Sequence, residues 1–501
     1  MDVDEIFDFE ETRDLVTPAV VMTKIGEAIE LSQGPVVLHI EGDPTEVVGC
    51  GKLKLYWDGR GLVGSFEADV PIGQIHLGDD FRSTTLSVTE ANLSTAKINA
   101  KIERRADVSL FQPSLFPEEE RLEFQYRVTS FELELASEDR GIKKVIAHLL
   151  NVPPYLGMKI GAARPNGRGR FFNRGRLELL SDGWRVTVDY LHCWAIRDRG
   201  FWNEDEDEDE DEFDDALDIL NALGDASTIG GTFITHAIRM ERAKGSLFNR
   251  KQALSALGRL EVFLRFAFGG PGQPICVYGF GPKGQTSWKS LPSSPDLPRS
   301  GGQRRARSWL PLAGDETEGA RTSAAQELNS QLSSMFAYWM NSSEDEKSDF
   351  KKMITRAVEW YTASLEAPSK NQCIVLAQAS LEVLSNYCLQ SKLHLSEKSQ
   401  QKLEFSDQLK VTLSVLGIDI KVPSSFVAHR GRPLTGPSAV TRARNSVVHP
   451  RSGYEDLSDD EIEEARTLSL WYVERIILQL LQYRGLYWNR IERKITSLAR
   501  S

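Results

Sequence analysis

Apolar residues recur at every second position from residue 36 to about 200, then at every third or fourth position from about 325 onward. No single kind of regular element satisfies both periods, so the chain must pass from strands to helices along its length. The first region holds VVLHIEG, EVVGCGKLKLYWDG, LVGSFEADV, LEFQYRVTSFELELAS and GWRVTVDYLHCW, separated by Gly, Asp, Pro and Ser. It predicts a mainly antiparallel β domain over residues 1–203. A chain of 501 residues exceeds what one core usually supports, and about two to four domains are expected.

The strand-rich part is followed by EDEDEDEDEFDDALD at 204–218, twelve acidic residues with no basic one. Such a run is too charged to collapse and predicts a linker or insert. The pattern resumes as a middle α/β module over 219–290. It contains a strand and turn in ITHAIRMERAKGSLFN and an amphipathic helix with Leu254, Leu257, Leu260, Val262, Leu264 and Phe268 on its apolar side. A short strand, ICVYGFGPKG, follows. Residues 291–324, rich in Pro, Ser, Gly and Arg, predict a second linker. Residues 325–501 then predict a helical domain.

Its stripes are Leu328, Leu332, Met335, Phe336 and Trp339; Phe350, Met353, Ile354, Ala357 and Tyr361; Ile374, Ala377, Leu381, Leu384 and Cys388; and Phe405, Leu409, Leu413 and Leu416. Ser458 with Glu461 is a capping box for a last helix, with Leu457 and Ile462 as its hydrophobic staple. That helix carries two apolar stripes, Leu468–Tyr472–Ile476–Leu480 and Leu470–Val473–Ile477–Leu481, as expected of the buried centre of a bundle or of a homodimer seam. The fold class is thus α+β multidomain, with an antiparallel β domain, an α/β module and an all-α bundle in sequence.

The net charge of −12 belongs to the acidic run, because without it 60 acidic residues face 60 basic ones. It therefore does not exclude a nucleic-acid partner. Five cysteines (Cys50, Cys193, Cys276, Cys373, Cys388) are scattered and odd in number, which predicts reduced, mostly buried thiols and neither a disulfide framework nor a zinc ribbon. No apolar run is long enough for a membrane helix, and the acidic start MDVDEIFDFEETRDLV is unlike a signal peptide, so a cytoplasmic location without membrane partner is expected. Gly167-Arg168-Gly169 opens like a dinucleotide fingerprint, yet Phe172 stands where its third glycine belongs, and no phosphate-binding P-loop occurs. No cofactor is expected.

One constellation carries chemistry: Arg444-Asn445-Ser446-Val447-Val448-His449, in GPSAVTRARNSVVHPRSGYED. Five residues along an α-helix turn a side chain by about 140°, so Arg444 and His449 do not share a face of a regular helix. Pro450 disfavours helical backbone at His449, which predicts the histidine at or just beyond a helix end. On spacing alone the pair is equally well a surface arginine and a helix-capping histidine.

This arginine, polar neighbour and histidine in the late part of a helical domain resemble the R-x4-6-H motif of the HEPN superfamily. ITHAIRMERAKGSLF, FLRFAFGG and EARTLSLWYVERIILQLLQYRGLYWNR resemble the ApeA-type bacterial anti-phage proteins of abortive infection. The resemblance covers residues 230–501. It implies a homodimeric HEPN bundle, RNA as substrate, metal-independent cleavage, and control by an N-terminal region that senses a phage-derived trigger. Arg444 and His449 are then the catalytic pair with Asn445 in support, Arg442 and Arg451 are candidate RNA contacts, and no metal ligand is implied. A non-catalytic HEPN protein that binds a nucleotide or a partner is the alternative.

Three other features complete the candidates. RPNGRGRFFNRGR at 164–176 carries five arginines around Phe171 and Phe172, a composition suited to RNA and, with the stronger expectation, to a plain basic loop balancing the nearby acidic run. His236 predicts a structural strand histidine. Glu382 is placed either to orient Arg444 or as an exposed edge residue.

Overall fold

The computed structural model describes residues 16–20, eight strand segments between 28 and 135 and, with short interruptions, 141–191, 234–291, 306–420, 434–449 and 457–498. The acidic run lies outside the described residues. The fold is mixed α+β, with antiparallel sheets in the N-terminal half and helices in the C-terminal half.

Strands β1 (Ile29–His39), β2 (Glu46–Tyr56), β3 (Gly61–Asp69), β4 (Thr85–Val88), β6 (Ala100–Glu103) and β7 (Arg121–Val128) close into a barrel in the order β1-β2-β3-β7-β6-β4. Closure leaves no free edge. The remaining strands of this half are β5 (Ala96–Ile98), β8 (Phe131–Leu135), β9 (Lys144–Leu150), β10 (Met158–Ala163), β11 (Arg170–Leu180), β12 (Trp184–Tyr190), β13 (Ile234–Arg242), β14 (Ile275–Phe280) and β15 (Thr286–Leu291). They form one sheet in the order β10-β11-β12-β13-β9-β14-β15-β8-β5.

This sheet runs across the expected boundary between a β domain and a middle module. β13 pairs with β12 on one side, with Val186 opposite Met240, and with β9 on the other, with Val145 opposite Met240. The two expected units share one hydrogen-bonded sheet. Strand pairing across the acidic run is a non-local choice, and a local pattern cannot reveal it.

Helix α1 (Arg250–Phe268) is set by its ends. Asn249 and Gln252 form a capping box, and Gly269 closes the helix at a φ of 65°. A Cβ at Gly269 would stand 2.7 Å from both Leu365 Cδ1 and Ser308 Cβ, so the glycine also permits close packing. The buried face runs Ala253, Ala256, Leu257, Leu260, Phe263, Leu264, Ala267 and Phe268. Leu254, expected on that face, is 42% exposed. It is one residue, about 100°, off the stripe.

The helical half contains α2 (Arg321–Ser342), α3 (Asp349–Leu365), α4 (Lys370–Ser391), α5 (Glu397–Gln400), α6 (Phe405–Val415), α7 (Gly436–Val448) and α8 (Asp459–Leu480). It is not all-α. A two-stranded hairpin of β16 (Leu486–Asn489) and β17 (Lys494–Ser497) follows α8, where the aromatic LYWN supplies strand propensity. One continuous core runs from β9 and β12 through α1 into α2, α3, α4 and α8. Helix α2 also completes the sheet. β11 residues 177–180 pair with β12 alone, and α2 side chains meet their other edge: Glu178 N donates to Asn329 Oδ1 (2.8 Å) and Leu180 N to Ser333 Oγ (2.9 Å).

The expected linker at 291–324 contains a buried strap. Trp309 is fully buried and its Nε1 donates to Phe266 O (2.9 Å). Leu156 N donates to Pro311 O (3.0 Å) on one side of the strap and Trp488 N to Trp309 O (2.7 Å) on the other. Its polar and glycine-rich flanks mask one aromatic anchor, which is why composition predicts a linker there.

Both stripes of α8 are buried within the single chain. Of the two expectations for this helix, the structure therefore supplies the buried centre of a bundle, and α8 does not call for a second copy. Ile477→Asp would place a charge in a packed core rather than at a dimer seam. The capping box of Ser458 and Glu461 is present, with Leu457 and Ile462 packed beside it.

Two buried histidines give the sheet a pH dependence. His148 Nδ1 bonds Cys276 O (3.0 Å), and its Nε2 accepts from both Ala19 N and Val20 N (3.2 Å each), which requires a neutral ring with its proton on Nδ1. Burial lowers its pKa to about 4, and that of His236 to about 3. Unfolded histidine titrates near 6.5. As pH falls from 6.5 toward 4 and then 3, the unfolded chain takes up protons that the folded chain refuses, so this contribution to stability is progressively lost. Urea midpoints measured from pH 7 to 4.5 should fall more steeply for the wild type than for His148→Gln. Equal slopes would remove His148 as a cause.

Candidate functional site

Helix α7 positions the Arg444 motif, and its start is written in TGPS. Thr435 caps the helix, its Oγ1 accepting from Ser438 N (3.4 Å), and Pro437 sits in the first turn, where its missing N–H costs nothing. Gly436 lies against α8, where a Cβ would run into the Tyr472 hydroxyl. Ala439, Ala443 and Ala465 form a small-residue cluster with Ile374, seating α7 on α4 and α8. The inner face of α7 is thus apolar and closely packed, which leaves the motif on the outer side.

The helix ends at Val448, and His449 is its C-cap with φ −125° and ψ 70°, outside the helical region. This is where Pro450 predicts the histidine. His449 N donates to Asn445 O (2.9 Å), while the side chain is exposed. Among the described residues no hydrogen-bond partner holds the His449 ring.

Taking Ala443 as the inward direction, Arg444 is turned by about 100°, Asn445 by about 200°, Arg442 by about 260° and His449, by extension of the helix, by about 240°. Asn445 therefore lies between the arginine and the histidine around the helix. Arg444 Nη1 donates to Asn445 Oδ1 (3.1 Å), which draws the guanidinium toward the His449 side. The bond reduces the angular gap that the spacing imposes, and it gives Asn445 a positioning role. Arg444 and Arg442 are half-buried, and Arg442 has interactions of its own within the chain. Arg451 lies outside the described residues.

The electrostatics of this end are mixed. The last carbonyls of α7 repel an anion, and Arg444 supplies the compensating charge one turn earlier. Among the described residues, no three His, Cys, Asp or Glu side chains converge as a metal site.

The remaining candidates fall elsewhere. Glu382 on α4 is exposed and its Oε1 accepts from Gln378 Nε2 (2.8 Å), so the edge placement is the observed one. In the arginine-rich segment, Arg176 is buried: its Nε and Nη2 donate to Asp189 Oδ1 (2.8 Å) and Oδ2 (2.7 Å), and Val16 N donates to the same carboxylate. Arg176 is thus a structural cation, and residues 164–169 lie outside the described ones. His236 stacks on Tyr155 at 5.4 Å and bonds Thr235 Oγ1 (2.9 Å), a core role. Cys276, Cys373 and Cys388 are buried and unpaired, while Cys50 is exposed and unpaired. No helix among the described residues is long and apolar enough to cross a membrane.

Sequence reasoning missed two features. One is a groove between α3 and α4 around Trp360. The other is the buried Glu474–Arg490 pair. Trp360 breaks the α3 stripe by standing beside the inward Tyr361, and that break is the signal for an aromatic left outside the core.

No solved structure matches the chain. It is similar to the SPbeta prophage-derived uncharacterized protein YopA of Bacillus subtilis (strain 168), at 24% identity over 362 residues, covering 72% of this chain and 71% of the relative. Two families match separate segments: residues 213–294 are similar to the YopA central domain, and residues 347–499, from just before α3 through the terminal hairpin, to the YopA C-terminal domain.

Proposed function

We propose that the chain is a metal-independent endoribonuclease of the HEPN type, acting through Arg444 and His449 with Asn445 in support. The observation that carries this reading is the placement of an exposed His449 at the irregular end of α7, with Arg444 tethered toward it by Asn445. In such a reaction the 2′-oxygen attacks phosphorus, its proton passes to an acceptor, and the 5′-oxygen leaves with a proton. Histidine serves as acceptor or donor near neutral pH, and arginine faces the phosphorane oxygens with a matching fork. None of these roles requires a carboxylate cluster.

The β-rich half is then the sensing region, and the prophage origin of the YopA relative fits a protein of phage conflict such as abortive infection. A homodimer bringing two motifs to one phosphate belongs to the same proposal, with its interface outside the buried stripes of α8. The His449 ring, held by no hydrogen-bond partner among the described residues, favours a second reading, a non-catalytic HEPN protein that binds a nucleotide or partner.

Incubation of the full chain with total RNA in the presence of a chelator separates the two. The proposal expects cleavage products with 2′,3′-cyclic phosphate and 5′-hydroxyl ends. Strict dependence on a divalent ion, 5′-phosphate ends, or no cleavage by either monomer or dimer would overturn it.

A further inference from the structure

The outer groove between α3 and α4 has a volume of about 430 Å³ and is lined by Arg356, Glu359, Trp360, Glu382, Val383 and Asn386. Trp360 is 39% exposed, an uncommon position for the largest apolar side chain. Its indole lies open beside charged groups, and Arg356 has no ion-pair partner among the described residues. The two helices are consecutive and antiparallel, with Ser380 Oγ donating to Ala357 O (2.9 Å) at their contact. This direction sets the order of the lining. Arg356, Glu382 and Asn386 share one end, and Trp360, with Glu359 beside it, stands about 6 Å along the helix axis at the other.

The lining thus combines an aromatic face, acceptor-only carboxylates and a cation. A carboxylate offers acceptors alone, so it favours a ligand edge with adjacent donors. Glu382 is already oriented, because Gln378 Nε2 holds its Oε1 and leaves Oε2 and the further lone pairs to a ligand. Among the four RNA bases, guanine alone presents two adjacent donors, its ring N–H and its exocyclic amino group. Adenine, cytosine and uracil place an acceptor next to each donor, which a carboxylate repels. Aromatic side chains stack on any base, and single-stranded bases are read along their Watson–Crick edges. A cationic side chain from a partner protein would suit the carboxylates and the indole, but Arg356 opposes it.

We propose that this groove binds a guanosine phosphate, with guanine stacked on Trp360, its donor edge on Glu382 and its phosphate at Arg356. The source is either a free nucleotide or one guanosine of a single-stranded RNA. No residue of the Arg444–His449 motif lines this groove, and binding there does not depend on cleavage.

Calorimetric titration of the full chain with GMP and with AMP tests it, alongside a single-stranded 2′-O-methyl oligonucleotide containing one guanosine. GMP should bind at least tenfold tighter than AMP. Trp360→Ala should lose tenfold or more of the GMP affinity, and Glu382→Gln should remove the preference for GMP. Both positions are on the surface, and unchanged unfolding midpoints will verify folding. His449→Ala should bind GMP like the wild type, so a failure here is distinguishable from a failure of the nuclease reading. Oligonucleotide binding tighter than GMP identifies RNA as the source, and equal binding identifies the free nucleotide. No GMP binding, equal affinity for GMP and AMP, full affinity in Trp360→Ala, or binding of argininamide in preference to GMP would each overturn the proposal.

Discussion

Replacing His449 by alanine is expected to lower the rate of RNA cleavage by about 10²- to 10⁴-fold, the usual contribution of a positioned acid or base. The fold should survive the change, because His449 is exposed and its only described hydrogen bond is a backbone one to Asn445 O. Arg444→Ala should fall in the same range by losing the charge that offsets the α7 carbonyls. Arg444→Lys should recover little, since an ammonium lacks the planar fork that both Asn445 and a phosphate engage. Asn445→Ala distinguishes tethering from chemistry. It frees the guanidinium without removing it, so its loss should be smaller than that of Arg444→Ala and should not add to it. Circular dichroism and unfolding midpoints of each variant, taken beside initial rates on a labelled RNA, make the comparison. Parental activity in His449→Ala with an intact fold would remove the motif as the catalytic site.

The candidate site was legible where local chemistry decided the geometry. Thr435, Pro437 and Pro450 bracket α7, and the five-residue spacing already required an irregular end for Arg444 and His449 to meet. The helical stripes were legible for the same reason, since Leu328, Leu332, Phe336 and Trp339 repeat at the period of a buried face. What escaped was set by partners distant in sequence. The β12–β13 pairing spans the acidic run, and the burial of Trp309 depends on contacts with Phe266 and the strand carrying Trp488. The second stripe of α8 was visible as apolar, but its covering by the rest of the same chain was not. A stripe announces that a face is buried and says nothing of what buries it.

Arg490→Met is expected to be among the most destabilising single changes in the helical half, by about 3–5 kcal/mol. Arg490 Nε lies 2.9 and 2.8 Å from the two Glu474 oxygens, and its Nη2 lies 2.7 Å from Oε1. Glu474 is fully buried on α8 and also accepts from the Tyr361 hydroxyl of α3, while Arg490 donates to Arg307 O in the strap. Arg307 in turn stacks on Trp488 at 3.7 Å and pairs with Asp315. One buried pair thus joins α3, α8, the strap and the terminal hairpin. Burial pushes the Glu474 carboxyl above the usual carboxylate range even with Arg490 beside it, so removing the arginine leaves a group without solvent and with only the Arg307 charge, itself paired to Asp315, nearby. The double variant Glu474→Leu/Arg490→Met removes both desolvation costs and should recover a large part of the loss. It retains a smaller deficit of about 1 kcal/mol for each of the Tyr361 and Arg307 groups left unpaired. Urea unfolding of the two single variants and the double variant gives the coupling directly. If the double variant is destabilised by the sum of the singles, the two side chains act independently and the pair is not the joint described here.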